Sequence, residues 1–203
     1  LIGIVNYGLG NLGSVMNMFK RIGAQARVIS TPDEVLSSRK LLLPGVGAFD
    51  TGMSLLADSG WHEVLNEKVI VQRAPVLGIC LGMQLLTDGS DEGRLPGLGW
   101  IRGRAKSLAG SIDRSLKVPH MGWNHVRKVA QSPLTEGLPA DSRFYFVHSY
   151  YVHCECQEDV VLTAQYGLEF HAALQRGNIF GAQFHPEKSH RFGMKLLENF
   201  ARL

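Results

Sequence analysis

The chain has 203 residues, 45% of them hydrophobic and 19% charged, with a formal net charge of +3. Those figures suit one globular domain over 1–203 with a substantial core, and exclude disordered and fibrous classes. The charge is too mild, and lysine and arginine too scattered, for a nucleic-acid surface, and no stretch is long enough for a membrane span. Cys80, Cys154 and Cys156 are an odd set without framework spacing, as in a reducing compartment. Leu1–Val5 is apolar but too short for a signal sequence and lacks a basic leader, so the expected location is cytoplasmic.

In chain order, Leu1–Asn6 reads as a buried strand, followed by the turn Gly8-Leu9-Gly10-Asn11-Leu12-Gly13. Val15–Ile22 is helical and closed by Gly23, and Gln25–Ile29 is a second strand. Thr31-Pro32-Asp33-Glu34 has the cap, proline and acids of a helix start. Lys40–Leu43 is a third strand and runs into Pro44-Gly45-Val46-Gly47. A helix carrying Met53, Leu55 and Leu56, then another over Trp61–Val71, lead to the apolar run Pro75–Ile79. Alternating strands and helices predict a mostly parallel central sheet with helices on both faces, an α/β fold. The second half predicts shorter, antiparallel strands at Trp100–Ser107, Val118–Val129, Arg143–Tyr151, Val160–Gln165 and Phe170–Arg176. A buried strand, Ile179–Phe184, and a closing helix, Phe192–Leu203, complete the chain.

Within this frame Gly78-Ile79-Cys80-Leu81-Gly82 puts a cysteine on the turn between the Pro75–Ile79 strand and a helical Leu81–Thr87 segment. This is the thiol counterpart of the G-x-S-x-G elbow, with glycines where strand and helix cross. A helix N-terminus behind Cys80 would favour thiolate, and the Leu81 N–H would face a developing oxyanion. The plain alternative is a small buried cysteine, which the two glycines argue against. A base is supplied by His185-Pro186-Glu187, at another C-terminal strand end, where α/β sheets collect functional groups. Pro186 stiffens the link and lets Glu187 reach the far imidazole nitrogen, a Cys–His–Glu triad, although H-P-E alone also fits a solvated turn. Pro44–Gly47 can aim the Val46 N–H beside that of Leu81, or be simply another β–α turn. Gly8-x-Gly10-x-x-Gly13 matches a dinucleotide fingerprint, but no acid ends the second strand, so a tight turn needing positive φ is the better reading. His153, Cys154 and Cys156 lack the second ligand pair of a metal centre, Cys154 and Cys156 being expected on one strand face.

With these motifs together the chain resembles the class I (triad) glutamine amidotransferases, which show G-x-C-x-G-x-Q, a P-G-x-G strand end and H-P-E. More narrowly it looks like the glutaminase subunits of imidazole glycerol phosphate synthase, through Asn6–Asn11, Gly78–Gln84, Pro119-His120-Met121-Gly122-Trp123-Asn124, His148-Ser149-Tyr150 and Gln183–Ser189. The resemblance implies the flavodoxin-like fold of that class and no cofactor or metal. It implies Cys80, His185 and Glu187 as triad, Val46 and Leu81 as oxyanion hole, and Gly47, Gln84, Glu92, Ser149 and Tyr150 as the L-glutamine site. Glu92 would meet the substrate ammonium. Ammonia would pass to a (β/α)₈ cyclase subunit in a heterodimer, faced by His120, Trp123, Asn124, Tyr145 and Lys188, with Trp123 expected on a loop. No nucleic-acid or membrane partner is implied. Glutaminases serving other pathways are the alternative, against which the Pro119–Asn124 run argues; a nucleotide-binding module is a more distant one.

Overall fold

Four short apolar runs, β1 (Ile2–Val5), β2 (Ala26–Ile29), β3 (Lys40–Leu43) and β4 (Val76–Ile79), form the parallel half of a sheet in the computed structural model, which describes residues 1–203. Between them lie α1 (Leu12–Arg21), α2 (Phe49–Asp58) and α3 (Trp61–Asn66), and α4 (Leu81–Leu85) follows β4. The strands β5 (Gly89–Ser90), β6 (Gly103–Ser107), β7 (His120–Lys128), β8 (Arg143–His148), β9 (Tyr150–Cys154), β10 (Val160–Tyr166), β11 (Leu168–Arg176) and β12 (Ile179–Ala182) come next, and α5 (His190–Arg202) closes the chain. The main sheet runs β2-β1-β3-β4-β12-β11-β10-β7-β8, parallel from β2 through β12 and antiparallel beyond; β5, β6 and β9 make a small second sheet.

Both faces of the parallel half are covered. Ile4, Leu42, Leu77 and Ile79 pack with Phe19 of α1 and Leu197 and Phe200 of α5. On the opposite face Leu41, Leu43 and Val76 pack with Phe49, Leu56, Trp61, Leu65 and Leu85 of α2, α3 and α4. This two-sided burial is why the parallel strands read as unbroken apolar runs, whereas β7 and β8 alternate. Helix α1 begins a turn earlier than Val15 because the Asn11 side chain accepts from Ser14 N at 3.2 Å, and Gly23 leaves it at φ +70°.

The departures from the sequence reading have local causes. Thr31–Glu34 starts only a 3₁₀ turn, Pro32–Ser37, with its capping box intact. The helix over Trp61–Val71 changes at Glu67 to a π turn. Trp100–Arg102 is not strand, because Trp100 N and Ile101 N both donate to Leu86 O and the indole to Asn66 Oδ1. Arg143–Tyr151 is two strands: the chain changes sheets at Ser149, whose carbonyl accepts from Leu108 N. That switch turns residues 147–150 toward the end of β4.

Candidate active site

Cys80 follows the last residue of β4 and holds φ +54°, ψ −110°, a backbone state rarely adopted by a residue with a side chain. Packing on both sides enforces it. Cys80 N donates to Ala182 O of β12 at 2.7 Å, and a Cβ on Gly82 would lie 1.9 Å from Leu43 O. The elbow thus sits against the end of β3, where Pro44–Gly47 departs. Helix α4 ends at Leu85, short of the predicted Thr87, because Leu86 N and Thr87 N turn back to Met83 O and Gln84 O. Five residues carry little macrodipole, so the help expected for a thiolate from a helix N-terminus is small.

His185, 2% exposed, stands at the turn after β12; its Nδ1 lies 2.7 Å from Glu187 Oε1, and both side chains are 3% exposed. Nε2 is buried and makes no hydrogen bond of standard geometry. Burial by itself pulls the imidazole pKa down. The neighbouring Cys80 side chain and the Glu187 carboxylate hydrogen-bonded to Nδ1 outweigh that and raise it to about 9. Cys80 and His185 line one cleft of about 530 Å³, within the roughly 300–1,000 Å³ of small-molecule sites. Val46, Gly47, Leu81, Gln84, Glu92, Ser149 and Tyr150 line the same cleft, so these sequence candidates are brought together.

Two of them are partly committed to the protein. Glu92 Oε2 accepts from Phe49 N at 2.9 Å, closing the start of α2 and leaving the other carboxylate oxygen for a ligand. Gln84, 5% exposed, donates from Nε2 to Tyr150 O (3.0 Å) and Gln183 Oε1 (3.2 Å), so its amide can offer the cleft only an acceptor. The glycine turn after β1 also serves this site. Tyr7 Oη donates to Pro44 O at 2.7 Å, and a Cβ on Gly10 would meet Pro44 at 3.0 Å; Gly8 and Gly10 have φ of +102° and +113°. The turn is a brace for the Pro44 loop; positive φ accounts for Gly8, and positive φ with close packing for Gly10. Burial, and then the Cys80 charge, push the Tyr7 phenol up.

The residues expected to face a partner divide. Trp123 is 43% exposed and Lys188 is exposed, its Nζ 5.8 Å over the Tyr145 ring, while Tyr145 is half-buried with its ring 6.3 Å from that of Trp123. Trp123 belongs to β7, not to a loop, and pairs with Tyr145 on β8. Met121, 62% exposed, stands on the same face and went unassigned in the sequence, where only strand alternation could have singled it out. Asn124 is half-buried and donates to Gln165 O at 2.8 Å. His120 is the clear correction: 3% exposed, it stacks between Tyr166 and Phe146 at 4.1 and 4.9 Å and cannot meet a partner. Alternation along β7 turns residue 120 inward just as it turns 121 and 123 outward.

His120 Nδ1 lies 2.9 Å from His148 Nε2, and His148 Nδ1 lies 2.9 Å from Tyr150 O. A carbonyl only accepts, so His148 carries its proton on Nδ1 and its Nε2 accepts a hydrogen bond from the Nδ1–H of His120. Asn124 Nδ2 then donates to His120 Nε2 at 3.3 Å. Both rings are neutral in this arrangement. Burial pulls His120 to about 4; burial, then the neighbouring His120, pull His148 to about 3. Between the ordinary histidine value near 6.5 and these values the unfolded chain binds protons that the native one refuses, so stability falls as pH falls. The loss is up to about 1.4 kcal/mol per pH unit for each histidine. His185, with its raised pKa, contributes stability that is fully present below about 6.5 and is lost as pH rises through about 9, so it adds no slope in the acid window. Thermal melting of wild type and His120→Phe between pH 6.5 and 5 checks this: the variant should show a visibly shallower loss. Equal slopes would mean that the pair is not held neutral.

The other cysteines differ. Cys154 closes β9, is fully buried, donates from Sγ to Cys156 O, and burial, first among its causes, pushes it up to about 11. Cys156 lies beyond the strand, so the two do not share its face. The imidazole of His171 accepts from Cys154 N at 3.0 Å.

The glutamine amidotransferase class-I family model matches residues 4–203. The chain is 50% identical over 202 residues to imidazole glycerol phosphate synthase subunit HisH 2 of Methanococcus maripaludis, covering 100% of this chain and 99% of that one. It is 49% identical over 203 residues to the subunit HisH 2 of Pseudomonas aeruginosa, covering 100% of both. Among solved structures, PurLQS from Thermotoga maritima superposes with a TM-score of 0.76 at 17% identity over 99% of this chain and 97% of that one, a likeness of fold.

Proposed function

The chain belongs to the glutamine amidotransferase class-I family and is a HisH-type glutaminase subunit of imidazole glycerol phosphate synthase, and on that premise we propose how its cleft works. L-Glutamine binds with its ammonium at the free oxygen of Glu92 and against the Gln84 Oε1, with Gly47, Ser149 and Tyr150 completing the pocket. The Cys80 sulfur attacks the γ-carboxamide carbon, and the oxyanion is held by the Val46 and Leu81 N–H groups. His185, protonated and oriented by Glu187, gives its proton to the departing ammonia. Water, deprotonated by His185, then cleaves the thioester to glutamate and regenerates the thiolate. The observation that supports this best is the presence of Cys80 and His185, both buried, in one cleft, with Glu187 at 2.7 Å from the far imidazole nitrogen.

Ammonia passes to a (β/α)₈ cyclase subunit, with which this chain forms a cytoplasmic heterodimer, and there it enters imidazole glycerol phosphate and an aminoimidazole carboxamide ribotide. The docking face is the exposed strip of Met121, Trp123, Tyr145 and Lys188. Lys188 also lines the cleft, so a partner on this strip lies at the mouth of the active site. Aromatic and cationic groups so clustered are typical interface anchors. Glutamate release should be slow for the isolated chain and roughly 10²–10³ faster with cyclase and its nucleotide ligand, the worth of one oxyanion donor. Trp123→Ala and Lys188→Ala should weaken cyclase binding or this stimulation, and spare ammonium-dependent synthesis by the cyclase. Full activity without the cyclase would overturn the coupling. Normal binding and stimulation of both variants would move the docking face elsewhere.

A further inference from the structure

The sulfur of Cys80 has a polar neighbour that the mechanism above does not use. Gln183 comes directly after β12, is fully buried, and its Nε2 lies 3.8 Å from Cys80 Sγ. A primary amide could turn either its oxygen or its nitrogen to sulfur, and Gln84 decides which. Gln84 Nε2 donates to Tyr150 O, a group that only accepts, so its nitrogen is fixed on that side. The same nitrogen, 3.2 Å from Gln183 Oε1, donates its second hydrogen there, leaving Gln183 only its N–H to offer Cys80. The Gln183 backbone is itself tied to β11, its N donating to Ala172 O at 2.9 Å.

We propose that Gln183 is a further residue of the glutaminase reaction, donating a hydrogen bond to the Cys80 thiolate before attack and again when the thioester breaks. This rests on the reading of Cys80 as nucleophile. The need for such a donor follows from the rest of the sulfur's surroundings. Val147 O, 3.8 Å away, is an acceptor that favours the neutral thiol, and α4 is too short to supply much dipole. Tyr7, beyond β1, is a buried neutral phenol committed to Pro44 O, and His148 on β8 is a neutral ring. The charged groups are His185, Glu187 behind it, and Lys188 and Glu92 at the cleft wall. Gln183 is the fixed side-chain donor within hydrogen-bond reach of the sulfur. A donor to the charged form raises the thiolate fraction and makes sulfur a better leaving group in thioester hydrolysis.

Gln183→Met removes the donor at similar length, and Gln84 keeps its bond to Tyr150 O. The pH of half-maximal alkylation of Cys80 by iodoacetamide should rise by roughly one unit. The kcat should fall roughly 10- to 100-fold, as for loss of a hydrogen bond to a charged group, with KM for glutamine little changed. A purely structural glutamine would lower the melting temperature without moving the alkylation midpoint, so an unmoved midpoint overturns the proposal. In ¹⁵N-labelled wild type, which does not depend on the variant folding, the Gln183 side-chain amide signal should titrate with the same midpoint as alkylation; a flat signal also overturns it. If Cys80 itself is neither alkylated by a glutamine-derived reagent nor needed for hydrolysis, the fault lies with the nucleophile reading instead.

Discussion

Cys80→Ala should abolish glutamine hydrolysis while leaving the protein folded. Alanine has the same Cβ, so the φ of +54° at the elbow is no more demanding than in wild type, and the bond from residue 80 N to Ala182 O is kept. What is lost is the one sulfur in the cleft. In hydrolytic triads, removal of the nucleophile lowers turnover by roughly 10⁶, which here means glutamate release at background. A glutamine-derived affinity reagent should label Cys80 in wild type and spare Cys154, whose burial keeps it a neutral thiol, and Cys156, which lies outside the cleft. Mass spectrometry locating the label on Cys154 or Cys156, or residual turnover in Cys80→Ala, would sink the assignment.

Glu187→Gln should lower turnover by roughly 10²–10⁴, by analogy with loss of the orienting acid in serine triads. Glutamine fits the same space and can still accept from His185 Nδ1 through its amide oxygen, but the buried negative charge is gone. Glu187 is among the groups that lift His185 against the pull of its burial, so removing it lowers the imidazole pKa from its value near 9. The alkaline limb of the pH–rate profile should therefore move to lower pH. Steady-state kinetics in the presence of the cyclase give both quantities; a variant with wild-type rate and profile would remove Glu187 from the triad. Glu187 Oε2 has no donor within the chain, so the carboxylate is held for one bond only, the one to His185.

The chemistry was legible in the sequence wherever it depends on short-range backbone geometry. A cysteine between two glycines at a strand–helix junction, a histidine two residues from a glutamate across a proline, and P-G-x-G after a strand each carry their own local cause: close approach, fixed φ, a bend. Unbroken apolar runs likewise announced strands buried on both faces, and alternation announced the antiparallel ones. Contacts among residues distant in sequence were decided by the tertiary structure. His120 and Trp123 stand in one six-residue run, yet the register of β7 sends one into an aromatic stack and the other to the surface. Glu92 closes α2 because the loop bearing it folds against Phe49, and the change of sheet at Ser149 brings Tyr150 O within reach of both Gln84 and His148. Gln183 could be read as part of a motif, but not as a donor. Which end of its amide meets sulfur is set by Gln84, 99 positions earlier, and that orientation exists only once β4 and β12 lie side by side.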